Sequence, residues 1–370
     1  MKTKAAVFYQ PNQPLVIEEL ELEGPKTGEV LVKMAAVGLC RSDHNVMAGT
    51  RPVGMTPMVL GHEGAGVIEA VGPGVSRIKP GDHVVLMFIP SCGKCQNCVS
   101  GRSHACVLSV NIAKGPQLDG TYRLRNQKGQ NVGQFCLLGA FSQYAVVNQD
   151  SVCVIDKSYP LNPACLVGCG VVGGYGAAVN RAGVSPGSSA LVIGVGGVGM
   201  NAVQGAGAAG ATTIIAADVV AQKLNWAKTF GATHTVNAAE ADVVAEVMRL
   251  TGGAGVDFSF VGMANADTIG QAYAATGKLG TVVIIGLAPS DMESLPINPL
   301  NMVLMQKAVM GTLYGTSNAP AEIPKLLRMY RQRRLKLDEL VTKTYTLDEI
   351  NQGYTDMVAG KNLRGVVLFD

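Results

Sequence analysis

What the chain lacks narrows its identity first. Charged residues make up only 15% of its 370 residues and the formal net charge is +3, too small an excess to hold nucleic acid or an anionic membrane surface. No long apolar run is present. In residues 166–217 glycines, Arg181, Asn201 and Gln204 interrupt the sequence before any stretch reaches the roughly eighteen residues of a membrane span. The opening Met1-Lys-Thr-Lys-Ala-Ala-Val-Phe8 carries charge but no apolar signal core. The basic run from Arg328 to Arg334 falls in a helical pattern and reads as a solvated face. The expectation is a soluble, cytoplasmic protein without nucleic-acid or membrane partners.

Glycine, by contrast, is abundant, with 46 residues, and this together with the sparse charge describes a compact, turn-rich α/β protein and not a disordered one. A chain of 370 residues exceeds one small core, so two domains are expected. Nine cysteines, an odd number without a signal segment, point to a reducing compartment and to metal instead of disulfides.

The organising stretch is Leu191–Asp218. A short apolar run meets the glycine turn Gly194-Val195-Gly196-Gly197-Val198-Gly199; a helical segment, a second β-like run and Asp218 follow. This is strand, G-x-G-x-x-G, helix, strand and acid in the order a dinucleotide requires. Gly194 permits the turn, Gly196 admits a pyrophosphate and Gly199 lets helix and strand approach. The helix N-terminus offers free N–H groups to phosphate. Asp218, nineteen residues past Gly199, is placed to hold ribose hydroxyls, and Val219 and Val220 offer no arginine for a 2′-phosphate, so NAD is favoured over NADP.

Residues 1–110 read as short β-like runs, clearest at 4–9, 16–19, 29–37, 66–71 and 82–87. Residues 111–140 read as a polar loop, and 141–147 resumes as a strand. From about 170, helical segments at 219–230, 239–251 and 267–275 alternate with extended runs at 233–236, 256–261 and 281–285, which implies a parallel sheet with helices on both faces. Helices at 321–334 and 347–359 and a strand at 366–369 close the chain.

Cys92-x2-Cys95-x2-Cys98-x7-Cys106 supplies four thiolates at a spacing that suits one tetrahedral zinc. Such a closed set leaves no position for substrate, so its role is structural. His104, inside the loop, is surplus. A second set is scattered: Cys40-Arg41-Ser42-Asp43, Gly61-His62-Glu63 and Gly168-Cys169-Gly170. Local spacing does not unite it.

Together with the glycine turn, these residues resemble the zinc-dependent alcohol dehydrogenases of the medium-chain dehydrogenase/reductase superfamily over essentially the whole chain. Gly61–Gly66, Val167–Gly170 and Gly360–Arg364 carry the likeness. Cys136–Gly139, Ala164–Gly170 and Gly199–Gly205 resemble the nicotinoprotein (NDMA-dependent) branch. The resemblance implies an α/β fold: a GroES-like β-rich catalytic domain from residues 1–170 and 313–370, and an inserted Rossmann doubly wound parallel-sheet domain at 171–312, with the active site in the cleft between them. Two zinc ions per chain are implied, one catalytic and one structural. Cys40, His62 and Cys169 would bind the catalytic zinc, with Glu63 as an alternative ligand and Asp43 hydrogen-bonded to His62. Two thiolates and an imidazole leave the fourth position open, so a bound alcohol would ionise and pass hydride to NAD while Ser42 takes the proton. Arg41, Lys223 and Arg364 would contact cofactor phosphate or ribose, and Leu287 would pack near the nicotinamide. Phe88, Leu313 and one of Leu137 or Leu138 would line the pocket for a small alcohol or aldehyde. A homo-oligomer is expected, a dimer ahead of a tetramer.

The sequence departs from the family in three places. Many relatives carry a histidine five residues after the first cysteine, where this chain has Asn45, so His44 is the candidate for the proton relay. Val172-Gly173 stands where the branch carries Thr-Thr, which enlarges the pocket or loosens the cofactor. No arginine follows Cys106 within Val107–Asn111, against a glutathione-adduct formaldehyde dehydrogenase. Two other readings stay open: a metal-independent C=C or quinone reductase of the superfamily, and a silent zinc- and NAD-binding protein.

Overall fold

A computed structural model describes residues 1–369, and the chain divides into two compact units, Met1–Cys169 with the segment from Asn318 onward, and Gly170–Ser317. In the first unit, Lys2–Phe8, Val16–Leu22, Leu124–Arg125, Asn131–Gln134 and Met58–Val59 close a small barrel. Beside it a seven-stranded sheet runs in the order Val152–Ile155, His83–Leu86, Gly64–Val71, Glu29–Gly38, Arg364–Leu368, Val341–Tyr345, with Tyr144–Asn148 pairing Glu29–Gly38 off this path. Alternation explains the facing: Leu20 and Leu22 are buried while Glu19 and Glu21 stay exposed. Phe8, Leu20, Val32, Leu86, Phe135 and Phe141 meet in one core.

The stretch 111–140 corrects the loop expectation, since it holds two barrel strands joined by a turn at Asn126–Gly129. Strands of two and four residues are too short to print a periodic pattern. Arg123, 1% exposed, anchors the stretch. Its Nε and Nη2 each donate to a Glu29 carboxylate oxygen at 2.7 Å, and Nη2 also donates to Asp119 at 2.8 Å. A bidentate pair of this kind fixes geometry as well as charge.

The second unit is a six-stranded, wholly parallel sheet of β1 (Ser189–Ile193), β2 (Thr213–Asp218), β3 (His234–Asn237), β4 (Val256–Val261), β5 (Thr276–Ile284) and β6 (Ala308–Gly311), ordered β3-β2-β1-β4-β5-β6. This is the Rossmann order, and its strand order reverses between β1 and β4, where dinucleotides bind. β1 and β2 are buried almost without alternation, as strands covered on both faces are. The helix read at 239–251 starts at Val243, because Asp242 caps it by accepting from the Ala245 N–H at 2.8 Å. The helix Pro299–Met305 and β6, at seven and four residues, lie outside the expected elements. Among the described residues no single helix is long and apolar enough to cross a membrane.

Candidate metal centres and dinucleotide site

Cys92, Cys95, Cys98 and Cys106 converge on one point. The sulfurs of Cys92 and Cys98 lie 3.9 Å apart and those of Cys95 and Cys106 4.0 Å apart, close to the separation that four sulfurs about 2.3 Å from one tetrahedral ion adopt. The turn prepares them: the Cys95 N–H points at the Cys92 sulfur (3.4 Å) and the Cys98 N–H at the Cys95 sulfur (3.5 Å). Backbone donors from Val107 and Cys98 hold the Cys95 thiol down at about 6, which favours the thiolate a metal needs. His104 stands outside the four.

The scattered set also assembles, within the first unit. Ligand atoms of Cys40, His62, Glu63 and Cys169 all lie within 4.8 Å of one another. Strand Glu29–Gly38 delivers Cys40, which precedes helix Arg41–Met47; His62 and Glu63 enter strand Gly64–Val71; Cys169 ends the short turn Cys165–Gly168. His62 is 2% exposed, and its Nδ1 faces the Asp43 carboxylate at 3.0–3.1 Å. Asp43 in turn accepts from the Gly61 N–H at 2.9 Å. The imidazole is thereby oriented, with Cys40 as its other polar neighbour, and the ring is wedged between Phe88 (5.7 Å) and Phe135 (5.9 Å), both edge-on. Burial opposes a charge on His62, yet Asp43 and Cys40 raise its pKa well above the usual value. Cys40 is held well below an ordinary thiol by a hydrogen bond from Cys169, against burial and with help from His62. Two cysteine sulfurs and an oriented imidazole around one point fit zinc by donor chemistry.

Glu63 completes the ring differently. Its Oε2 accepts from Arg364, its Oε1 has no partner, and burial pushes the carboxyl up to about 7 against the pull of Arg364. Arg364, itself buried, also donates to the Leu39 carbonyl at 3.1 Å. Both of these contacts use Arg364 Nη2, so the pairing with Glu63 adds to the expected cofactor role of Arg364 without displacing it.

The remaining candidates sit as follows. Arg41 is exposed and Ser42 partly buried in the first turn of helix Arg41–Met47. His44 lies 6.2 Å from the Tyr354 ring, and burial with Arg41 nearby lowers its pKa. Leu137 and Leu138 are both fully buried. Leu138 packs in the barrel core. Leu287 and Leu313 are in the second unit, 49% and 47% exposed. Sequence reasoning missed Phe135 and Arg364's pairing, since both contacts join residues far apart in the chain.

In the second unit the glycine turn behaves as its spacing requires. Gly194 has φ +83°, a value costly for any other residue. A Cβ on Gly199 would strike the Gly194 carbonyl, whereas one on Gly196 would meet nothing within 4 Å, leaving room for a ligand to approach the backbone. Gly197 and Val198 open helix Gly197–Ala208. Asp218 accepts from the Val195 N–H at 3.0 Å, and Lys223 lies 3.9 Å from the same carboxylate. The open cradle, the free helix N-terminus and the fixed acid fit a dinucleotide. Gly173 likewise faces space.

A four-sulfur metal loop, an open metal cluster and a Rossmann cradle in one chain define a metal-binding oxidoreductase. Residues 26–157 match the alcohol dehydrogenase GroES-like domain and residues 197–332 the zinc-binding dehydrogenase family. The chain belongs to the zinc-binding alcohol dehydrogenases of the medium-chain dehydrogenase/reductase superfamily. It is 47% identical to an NDMA-dependent alcohol dehydrogenase of Amycolatopsis methanolica, covering 100% of this chain and 99% of the relative. Alcohol dehydrogenase B of Mycobacterium tuberculosis is 43% identical over 100% of this chain and 99% of its own. Among solved structures, benzyl alcohol dehydrogenase of Acinetobacter calcoaceticus superposes with a TM-score of 0.94 at 33% identity, covering both chains in full.

Proposed function

We propose that the chain is a zinc- and NAD-dependent alcohol dehydrogenase that interconverts a small alcohol and its aldehyde or ketone. The carrying observation is the convergence of Cys40, His62 and Cys169 at one buried point, with Glu63 restrained by Arg364. Zinc bound there supplies Lewis acidity toward a hydroxyl or carbonyl oxygen. Cys40 and Cys169 give the thiolates, His62 the imidazole, and Asp43 fixes the ring and its tautomer. Ser42 accepts the hydroxyl proton and His44 is the next acceptor toward solvent. The glycine turn cradles the pyrophosphate of NAD, Asp218 takes the adenosine ribose, and Arg41 and Lys223 lend charge to the phosphates. In the first unit Phe88 and Leu137 are the candidate apolar wall for the substrate; in the second unit Leu313 and Leu287 are the candidate apolar surfaces, Leu287 for the nicotinamide. The first unit is read as the catalytic domain and the second as the nucleotide domain, each chain carrying two zinc ions and assembling as a cytoplasmic homodimer.

Metal analysis joined to an alcohol panel tests this reading. About two zinc per chain and NADH formation are expected, with loss of turnover in Cys40→Ala and Cys169→Ala. Full alcohol oxidation by both variants would defeat the proposal. Denaturing the purified protein and assaying released NAD reports how tightly the cofactor is kept.

A further inference from the structure

The aromatic wall beside His62 carries a cation. The Cζ of Arg51 lies 5.5 Å from the centroid of Phe135, and Phe135 meets the His62 ring at 5.9 Å. Guanidinium and imidazole are thus separated by no more than one aromatic ring and its two contacts.

Arg51 is partly buried, and among the described residues it takes part in no ion pair. Arg123 and Arg364, the buried arginines of the same unit, each hold a carboxylate. The Asp43 carboxylate, near the centre, faces His62 and accepts from the Gly61 N–H through Oδ1, and no ion pair joins it to Arg51. A guanidinium with one face over a phenyl ring keeps its N–H edge for a second partner, and that edge matches a carboxylate bidentately. Phe88, partly buried at 5.7 Å from the His62 ring, offers a surface suited to a flat ring, while the fully buried Phe135 backs the wall from within the core.

We propose that Arg51 is a specificity determinant that recognises a carboxylate carried by the alcohol substrate, and that the preferred class is an arylmethanol bearing a ring carboxylate. The inference rests on the alcohol dehydrogenase reading above. Oxidation of such a substrate takes hydride from the carbinol carbon to oxidised NAD, giving NADH, while the hydroxyl proton leaves through Ser42, which passes its own proton on toward solvent; the carboxylate is a spectator held by Arg51.

The experiment compares 4-(hydroxymethyl)benzoate with benzyl alcohol on the zinc-loaded enzyme. In Arg51→Met the ratio of kcat/KM for the carboxylated over the neutral alcohol should fall about tenfold to a hundredfold, the loss of one charge-assisted pair, and it should appear in KM. Arg51→Lys should recover part of that ratio, and added salt should erode it in the wild type. An unchanged ratio in Arg51→Met overturns the proposal, as does a wild type that does not favour the carboxylated alcohol over benzyl alcohol relative to the variant. If the wild type oxidises neither alcohol, the activity reading fails separately. Binding of 4-(hydroxymethyl)benzoate by ligand NMR then decides: tighter binding to wild type than to Arg51→Met supports the subsite, and equal binding removes it.

Discussion

Arg364 holds one carboxylate oxygen of Glu63, the neighbour of His62 in sequence, and leaves the other oxygen without a partner. Both side chains are buried, so neither charge has water to fall back on. The pair keeps a fourth donor beside the metal cluster yet restrained from it. Removing the arginine leaves a buried carboxylate unpaired, a change that costs about 3–5 kcal/mol. Arg364→Leu should therefore lower the denaturation midpoint strongly, and the double variant with Glu63→Gln should regain much of the loss. Additive losses in that cycle would mean the two side chains do not act as a pair.

The four-cysteine loop makes a second, separable prediction. Its sulfurs already stand at the spacing of one ion, far in sequence from Cys40 and Cys169. Replacing Cys95 by Ser should reduce zinc content from about two to about one per chain and lower thermal stability, because metal binding free energy is folding free energy here. A chelator applied gently should reproduce the loss of stability. Zinc content that stays unchanged in Cys95→Ser would show that the loop holds no ion.

How much of this was readable in advance depended on whether the signal was local. The glycine turn, Asp218 and the Cys92–Cys106 loop are contiguous patterns whose spacing alone implies their geometry, and the sheet around β1 follows from alternating helical and extended runs. Cys40, His62 and Cys169 were legible only through resemblance, since the folded strands, not the spacing, bring them together. The barrel strands Leu124–Arg125 and Asn131–Gln134 escaped because they are too short to show a period. The placement of Arg51 over Phe135 and of Arg364 on Glu63 had no sequence signature at all. Pairings between residues 84 and 301 positions apart are decided by topology.

Asp218 should set cofactor choice. Its carboxylate is fixed by the Val195 and Val220 N–H groups, both at 3.0 Å, so the acid is presented rigidly at the end of β2. Hydrogen bonds to a charged acceptor contribute about 1.5–3 kcal/mol. Asp218→Ala should raise KM for NAD about tenfold to a hundredfold and narrow the preference over NADP, with kcat affected less. An NAD:NADP ratio indifferent to this change would remove Asp218 from the ribose site.

Acid should loosen the barrel through Asp119. Burial opposes ionisation there, but the Thr121 N–H and Arg123 hold the carboxyl at about 2, below the roughly 3.9 of a free aspartate. A carboxyl whose pKa is depressed by folding stabilises the fold above its unfolded value and loses that contribution as pH falls through the folded one. Stability should thus decline between about pH 4 and pH 2, and Asp119→Asn should flatten that part of the curve. Denaturant midpoints measured across the window check it, and parallel curves for the two proteins would refute the link.

The proton path gives the last prediction. Ser42 and His44 share helix Arg41–Met47, and His44 has its pKa lowered, first by burial and then by Arg41. A histidine of lowered pKa stays neutral at neutral pH and can accept a proton from the Ser42 side. Ser42→Ala should cut kcat about a hundredfold to ten-thousandfold, the range of a lost acid–base step, while Ser42→Thr, which keeps a hydroxyl, should retain most turnover. For alcohol oxidation the rate should fall only as pH drops below the folded pKa of His44, which lies under the ordinary 6.5. His44→Ala should abolish that acid limb if the proton leaves through the imidazole. If the limb survives in His44→Ala, the proton passes from Ser42 to water directly and Asn45, at the position where relatives carry histidine, has left the chain without a side-chain relay.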